Sequence, residues 1–309
     1  LTLSSFLGQL NYFQICFGAF VAGLAWSFDF PIRRSLLSEI VERRLYPSAI
    51  GVDMTSSNIA RVIGPIFAGI VLQQVTLLPI YLFGTILFFM AFIACSKIND
   101  VDISRVKNHG SIKFLSNDLV EGIKYIFKSR TLITVLVVTI IMNSLVFTYQ
   151  SQLSVIVQKN LTDLPIILGV LAALEGLGAT FGTLLIANFP FKRGIMIFLS
   201  GSFLFGFCIM AFAFSQSLSI SIILMILGGF GMAGFGTLQS ILIISSADQK
   251  IRGRVLGILA ITIGTQPIGA FLLGYFSREY GSVIALKYSV LFAMILLTIV
   301  TLLQFRKKN

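Results

Sequence analysis

Apolar runs about twenty residues long, separated by short polar and basic stretches, set the pattern of this chain. Nine of them, at 12–30, 49–74, 78–96, 132–157, 166–189, 195–214, 220–246, 255–276 and 284–304, match the roughly 20 apolar residues that a membrane-crossing helix needs. Residues 1–7 read as the tail of an earlier span, turned at Gly8-Gln9. The one long polar segment is 97–131. Within it Leu115, Leu119, Ile123 and Phe127 recur every four residues, with Asp118, Glu121, Lys124 and Lys128 elsewhere around the helix. That spacing predicts an amphipathic helix resting on the membrane surface. The expected fold is an all-α membrane protein in two helical blocks, 1–96 and 132–309, joined by the 97–131 linker.

Composition agrees with the pattern. Of 309 residues 56% are hydrophobic and 11% charged, where a soluble domain carries about 25% charged; mean hydropathy is +0.95. The net charge of +11 raises the question of nucleic acid, and its distribution answers it. If the 31–48 loop is cytoplasmic and the spans alternate, nineteen of the twenty-three Lys and Arg fall on the cytoplasmic side. Lys159, Arg278 and Lys287 fall outside, and Arg61 lies within a span. This asymmetry is the positive-inside signature. It predicts a multi-pass protein of a bacterial cytoplasmic (inner) membrane with a cytoplasmic C-terminus, partnered by lipid and not by nucleic acid. Cys16, Cys95 and Cys208 are isolated in apolar runs and His109 is the single histidine. No constellation for catalysis, a metal or a cofactor is expected.

Two charged residues lie deep in the spans. Arg61 is about twelve residues, or about 18 Å, along its helix, with Asn58, Ser57 and Asp53 on roughly the same side. A charge near mid-bilayer faces a partner or a watery cavity, so Arg61 either locks two helices together or meets substrate or a proton site. Glu175 is the only acidic residue well inside a span, beside a stripe of Gly169, Ala172, Gly176, Ala179 and Thr183. It is read either as a static ion-pair partner or as a group that takes up and releases a proton. Ala60, Gly64 and Ala68 form a small-residue ladder, with Arg61, Pro65 and Gly69 one position round. Such ladders favour close helix packing, and the proline removes one helical hydrogen bond. Asn143, Gln150, Gln152, Gln239 and Gln266 are further intramembrane polar groups.

A weak repeat crosses the linker: D-F-P-I-R at 29–33 and D-Q-K-I-R at 248–252 each precede a helix with a Pro-Ile step. With N-I-A-R-V-I-G-P-I-F-A-G at 58–69, E-G-I-K-Y-I at 121–126 and R-G-R-V at 252–255, the chain resembles the major facilitator superfamily. The likeness is strongest to its branch of bacterial exporters that includes enterobactin and macrolide efflux proteins. The resemblance implies twelve helices in two six-helix bundles, nine of them present here. Residues 1–96 would then hold helices four to six and 132–309 helices seven to twelve, with the N-terminal part missing.

The resemblance also implies roles. Gly64, Pro65, Ala68 and Gly69 match an antiporter-type motif, with Ala68 in place of a glycine. Arg61 and Glu175 would sit on facing helices, with Asn58, Asn143 and Gln239 as further substrate or proton-coupling candidates. Asp29, Arg33, Asp248, Arg252 and Arg254 would form a cytoplasmic gate. The 12–30 helix departs from many drug-proton antiporters in lacking an intramembrane arginine. The expectation is a monomeric secondary transporter, not an enzyme, that exports a small amphipathic compound (drug, macrolide or siderophore-like) by proton antiport with alternating access. The alternatives are an importer or uniporter on the same scaffold, and a non-transporting membrane protein or gene remnant.

Overall fold

The computed structural model describes residues 2, 6, 11–23, 25, 46–74, 78–97, 120–186, 194–248 and 251–306. They belong to two compact units, Leu1–Asn108 and His109–Asn309. Asp29, Arg33 and most of the 97–131 linker lie outside the described residues.

The first unit contributes α1 (Tyr12–Gly23), α2 (Tyr46–Gln74) and α3 (Leu78–Ser96). Each coincides with an expected span. By length and hydropathy α3 alone of these qualifies as membrane-crossing; in α2 the apolar part is Ile59–Gln73. Asp53, Thr55, Ser56, Ser57 and Asn58 dilute the first half of α2.

In the second unit, six stretches are long and apolar enough to cross a membrane: Arg130–Asn160, Pro165–Ile186, Gly194–Phe214, Leu218–Ser246, Arg252–Tyr280 and Ser282–Phe305. Before them comes a short helix α4 (120–126). The first stretch is not one continuous helix. It runs as α5 (Arg130–Ile141), a π-helical turn (Met142–Val146) and α6 (Tyr149–Asn160). Next come α7 (Pro165–Ile186), α8 (Gly194–Phe214) and α9 (Leu218–Ser246). The Arg252–Tyr280 stretch is also broken, into α10 (Arg252–Ile263) and α11 (Gln266–Tyr280). The unit closes with α12 (Ser282–Phe305).

Both breaks have local causes. At the first, Asn143 Nδ2 donates to the Thr139 carbonyl at 2.9 Å and the Thr148 hydroxyl to the Leu145 carbonyl at 3.1 Å, so side chains compete for the helix's own acceptors. The Phe147 N–H reaches back five residues to the Met142 carbonyl at 2.8 Å, which widens the turn. At the second, Pro267 has no N–H and its ring would clash with the carbonyl four residues back, Ile263. That residue is where α10 ends.

The two breaks meet. The Ser144 hydroxyl donates to Thr265 Oγ1 at 3.0 Å, and Gln266 Nε2 lies 3.4 Å from both the Phe147 carbonyl and Gln150 Oε1. A Cβ on Gly269 would collide with the Ser144 carbonyl, so only glycine lets α11 approach the π turn this closely. From α12, the Ser289 hydroxyl donates to the Leu145 carbonyl at 2.8 Å. Carbonyls freed by an irregular turn inside a membrane need such partners.

The core of this unit is aromatic. Phe147 packs on Phe205 (ring centroids 4.8 Å apart) and on Phe235 (5.5 Å), and Phe198 stacks on Phe235 at 5.5 Å.

Candidate functional site

Glu175 sits ten residues into α7, about 15 Å along its axis and so near mid-depth. It is 7% exposed. Two neighbours fix it. The hydroxyl of Tyr149, at the start of α6, donates to Glu175 Oε2. On the other side, a Cβ on Gly229 of α9 would collide with the Glu175 carbonyl, so the two backbones touch at the level of the carboxyl. The Tyr149 ring is held edge-on by Phe205, with centroids 5.9 Å apart at 74°. A buried carboxyl without partners would be costly; here an aromatic cage aims a hydroxyl at it.

The small-residue seam along α7 differs from the expected one. Glycines 178 and 182 face the backbone of α9, at Ile226 and Phe230. The Thr183 hydroxyl lies 3.4 Å from that of Thr237. The seam is therefore rotated by about one position from the Gly169–Ala172–Gly176 line, sharing Ala179 and Thr183 with it.

Asn143 and Gln239, far apart in sequence, both reach Thr139. Gln239 Nε2 donates to Thr139 Oγ1 at 2.7 Å, while Asn143 binds the carbonyl of the same residue. All three side chains are buried. The broken Arg130–Asn160 stretch thus contributes to two polar groups: Thr139 and Asn143, at the entry to the π turn, with Gln239 of α9, and Tyr149, after the turn, with Glu175 of α7.

In the first unit α2 runs unbroken through Pro65. Proline at 65 denies a donor to the carbonyl four residues earlier, which belongs to Arg61. The same turn thus carries a guanidinium and a carbonyl without its regular i+4 donor. Arg61 is exposed, Pro65 and Ala68 are half-buried and Gly69 is buried. A Cβ on Gly64 would meet nothing within 4 Å. Asn58 is on α2, with its side chain outside the described set. Arg61 and Glu175 belong to different units, each described by itself.

The residues expected at the cytoplasmic gate acquire partners that the sequence reading did not name. Arg254 Nη1 pairs with Glu121 Oε2 at 2.7 Å. The Asp248 N–H donates to the Tyr125 hydroxyl at 3.0 Å. Arg252 reaches the Ala247 carbonyl through Nη2 at 3.5 Å, and its buried Nε has no hydrogen-bond partner among the described residues. Glu121 and Tyr125 lie on α4, within the E-G-I-K-Y-I motif, whose spacing was the available signal. The face of α4 that packs is Gly122 and Ile126. A Cβ on Gly122 would come within 2.7 Å of Ile258 Cδ1 of α10. The apolar stripe read from the sequence stays outside, with Ile123 45% and Phe127 73% exposed.

The sequence model described as Major Facilitator Superfamily matches residues 1–265. The chain belongs to the Major Facilitator Superfamily. Membership and the seven apolar helical stretches among the described residues make it a multi-pass membrane protein. A relative in Staphylococcus aureus (strain NCTC 8325 / PS 47), named Staphyloferrin A transporter, is 22% identical over 267 residues. The alignment covers 86% of this chain and 66% of that protein. The relative's name is that of a transporter.

Proposed function

We propose that the chain is part of a secondary active exporter of the bacterial cytoplasmic membrane, exchanging protons for a small amphipathic compound by alternating access. In this reading 1–96 are helices four to six of the family fold, 97–131 the linker and 132–309 helices seven to twelve. The protein acts as a monomer.

The observation that carries the proposal is the buried Glu175 carboxyl held by the Tyr149 hydroxyl. A carboxyl at mid-depth changes charge by taking a proton, and an intramembrane acid marks a proton or substrate path by default. Arg61, on the Gly-Pro helix, is its counter-charge in the cycle. Asn143 and Gln239 shape the polar interior beside it, with Asn58 on the first unit. The α2 turn at Gly64-Pro65, running on to Ala68 and Gly69, supplies the gating helix. Asp248, Arg252 and Arg254, with Asp29 and Arg33, form the cytoplasmic latch. The relative's name makes a siderophore-like compound the first cargo to test, ahead of drugs and macrolides.

The test is Glu175→Gln in the full-length protein. Efflux driven by a pH gradient is expected to fall to background while cargo binding persists. Efflux that still follows the gradient would remove Glu175 from the coupling path.

A further inference from the structure

Where α5 begins and α12 ends, the second unit opens a cleft of about 510 Å³, within the range of small-molecule sites. Its polar end holds two arginines. Arg130 is the first residue of α5, and Arg306 directly follows the last residue of α12. Arg130 Nη1 donates to the Arg306 carbonyl at 2.7 Å, which leaves four guanidinium N–H donors on Arg130 and five on Arg306. One turn further in, Thr134 donates to Gln304 Oε1 at 2.7 Å, tying the two helices together and leaving the amide N–H groups of Gln304 as donors. Deeper still the wall is apolar, with Val137 from α5 and Val300 and Leu303 from α12.

The order matters. Charge sits at the helix ends, where headgroups lie, and apolar side chains follow about 5–10 Å further down the helices. Two guanidinium groups in one cleft repel each other unless an anion joins them, and a phosphodiester matches their paired donors. A soluble anion would use only the arginine end. A bilayer lipid would use the whole gradient.

We propose that this cleft binds one anionic phospholipid, its phosphate on Arg130 and Arg306 and the start of an acyl chain along Val137 and Leu303. Basic pockets between membrane helices are suited to such headgroups. The assignment is independent of cargo and of proton coupling, so it survives or fails separately from the exporter reading.

The experiment is native mass spectrometry of the full chain in neutral detergent, titrated with phosphatidylglycerol and phosphatidylcholine of matched acyl chains. With roughly fivefold contributed by each basic residue, wild type is expected to prefer phosphatidylglycerol about thirtyfold. Arg130→Gln with Arg306→Gln should abolish the preference. Arg306→Gln alone keeps the Arg130 bond to the residue-306 carbonyl and should lower the preference about fivefold, so a double variant that fails to fold does not end the test. Val137→Trp, which fills the apolar wall and leaves both charges, should reduce occupancy by either lipid. Equal binding of the two lipids by wild type, or a preference that persists without the arginines, overturns the proposal. So does displacement of phosphatidylglycerol by millimolar inorganic phosphate with Val137→Trp lacking effect, because that identifies a headgroup-sized anion site.

Discussion

Glu175 shows how much of a site one residue type can announce. An acidic side chain in the run L-A-A-L-E-G-L-G stands out in any membrane sequence, and Asn143 and Gln239 stand out in the same way. Tyr149 does not. Tyrosine is amphipathic and common in spans, and its approach to Glu175 depends on how α6 packs against α7. The pair makes a direct prediction. Tyr149→Phe keeps the ring against Phe205 and removes only the hydroxyl, so it should cost about 1–3 kcal/mol of stability in the C-terminal unit, the range for leaving a buried polar group without its partner. It should also alter the pH profile of efflux while leaving cargo affinity in place. Thermal unfolding in detergent and efflux measured across a pH series check the two halves. An unchanged pH profile would make Tyr149 a packing residue.

Among elements, the spans were legible and their interruptions only partly so. Length and hydropathy were enough to locate the helices, because bilayer thickness imposes one length on all of them. The proline at 267 signalled a disturbance, yet the equivalent proline at 65 leaves α2 continuous. What separates them is context. Pro267 follows Gly264-Thr265 and meets a second broken helix, whereas Pro65 stands in an otherwise regular run. The linker helix teaches the same lesson about faces. Its four-residue apolar stripe was plain, but the side that packs is the one carrying Gly122 and Ile126, where the glycine lets α4 come close to Ile258. The ion pair it forms is weak because it is exposed: in the Arg254–Glu121 pair the side chains are 31% and 60% exposed, and such pairs contribute about 0.2–1 kcal/mol. A double-mutant cycle on Glu121→Ala and Arg254→Ala should therefore return a coupling of about that size, while the charge swap Glu121→Arg with Arg254→Glu restores it. A link of a few tenths to one kcal/mol can open and close within a transport cycle; coupling several times larger would make it a permanent brace.

At the scale of the molecule, the family and the all-helical membrane fold follow from features that repeat along the chain: span length, loop charge and the paired Asp-to-Arg blocks. What does not repeat was hidden, and the π turn at Met142–Val146 is the main case. It holds one residue more than a regular helical turn of the same rise. The wider turn absorbs that extra residue, so everything after it, Tyr149 included, keeps the phase of the helix before it. In genetic terms the turn reads as a single-codon insertion retained in a membrane helix. Deleting Ser144 would let the stretch close into an ordinary helix with Tyr149 still in phase with Glu175, because the π turn takes up one extra residue within a single turn, and would remove the hydroxyl that meets Thr265 together with the irregular turn against which Gly269 packs. The shortened chain should still insert and accumulate in the membrane, yet transport poorly, a separation that expression level and efflux measured side by side would reveal. Regularity and activity are opposed at this one position: the variant with the tidier helix is the one expected to lose its function.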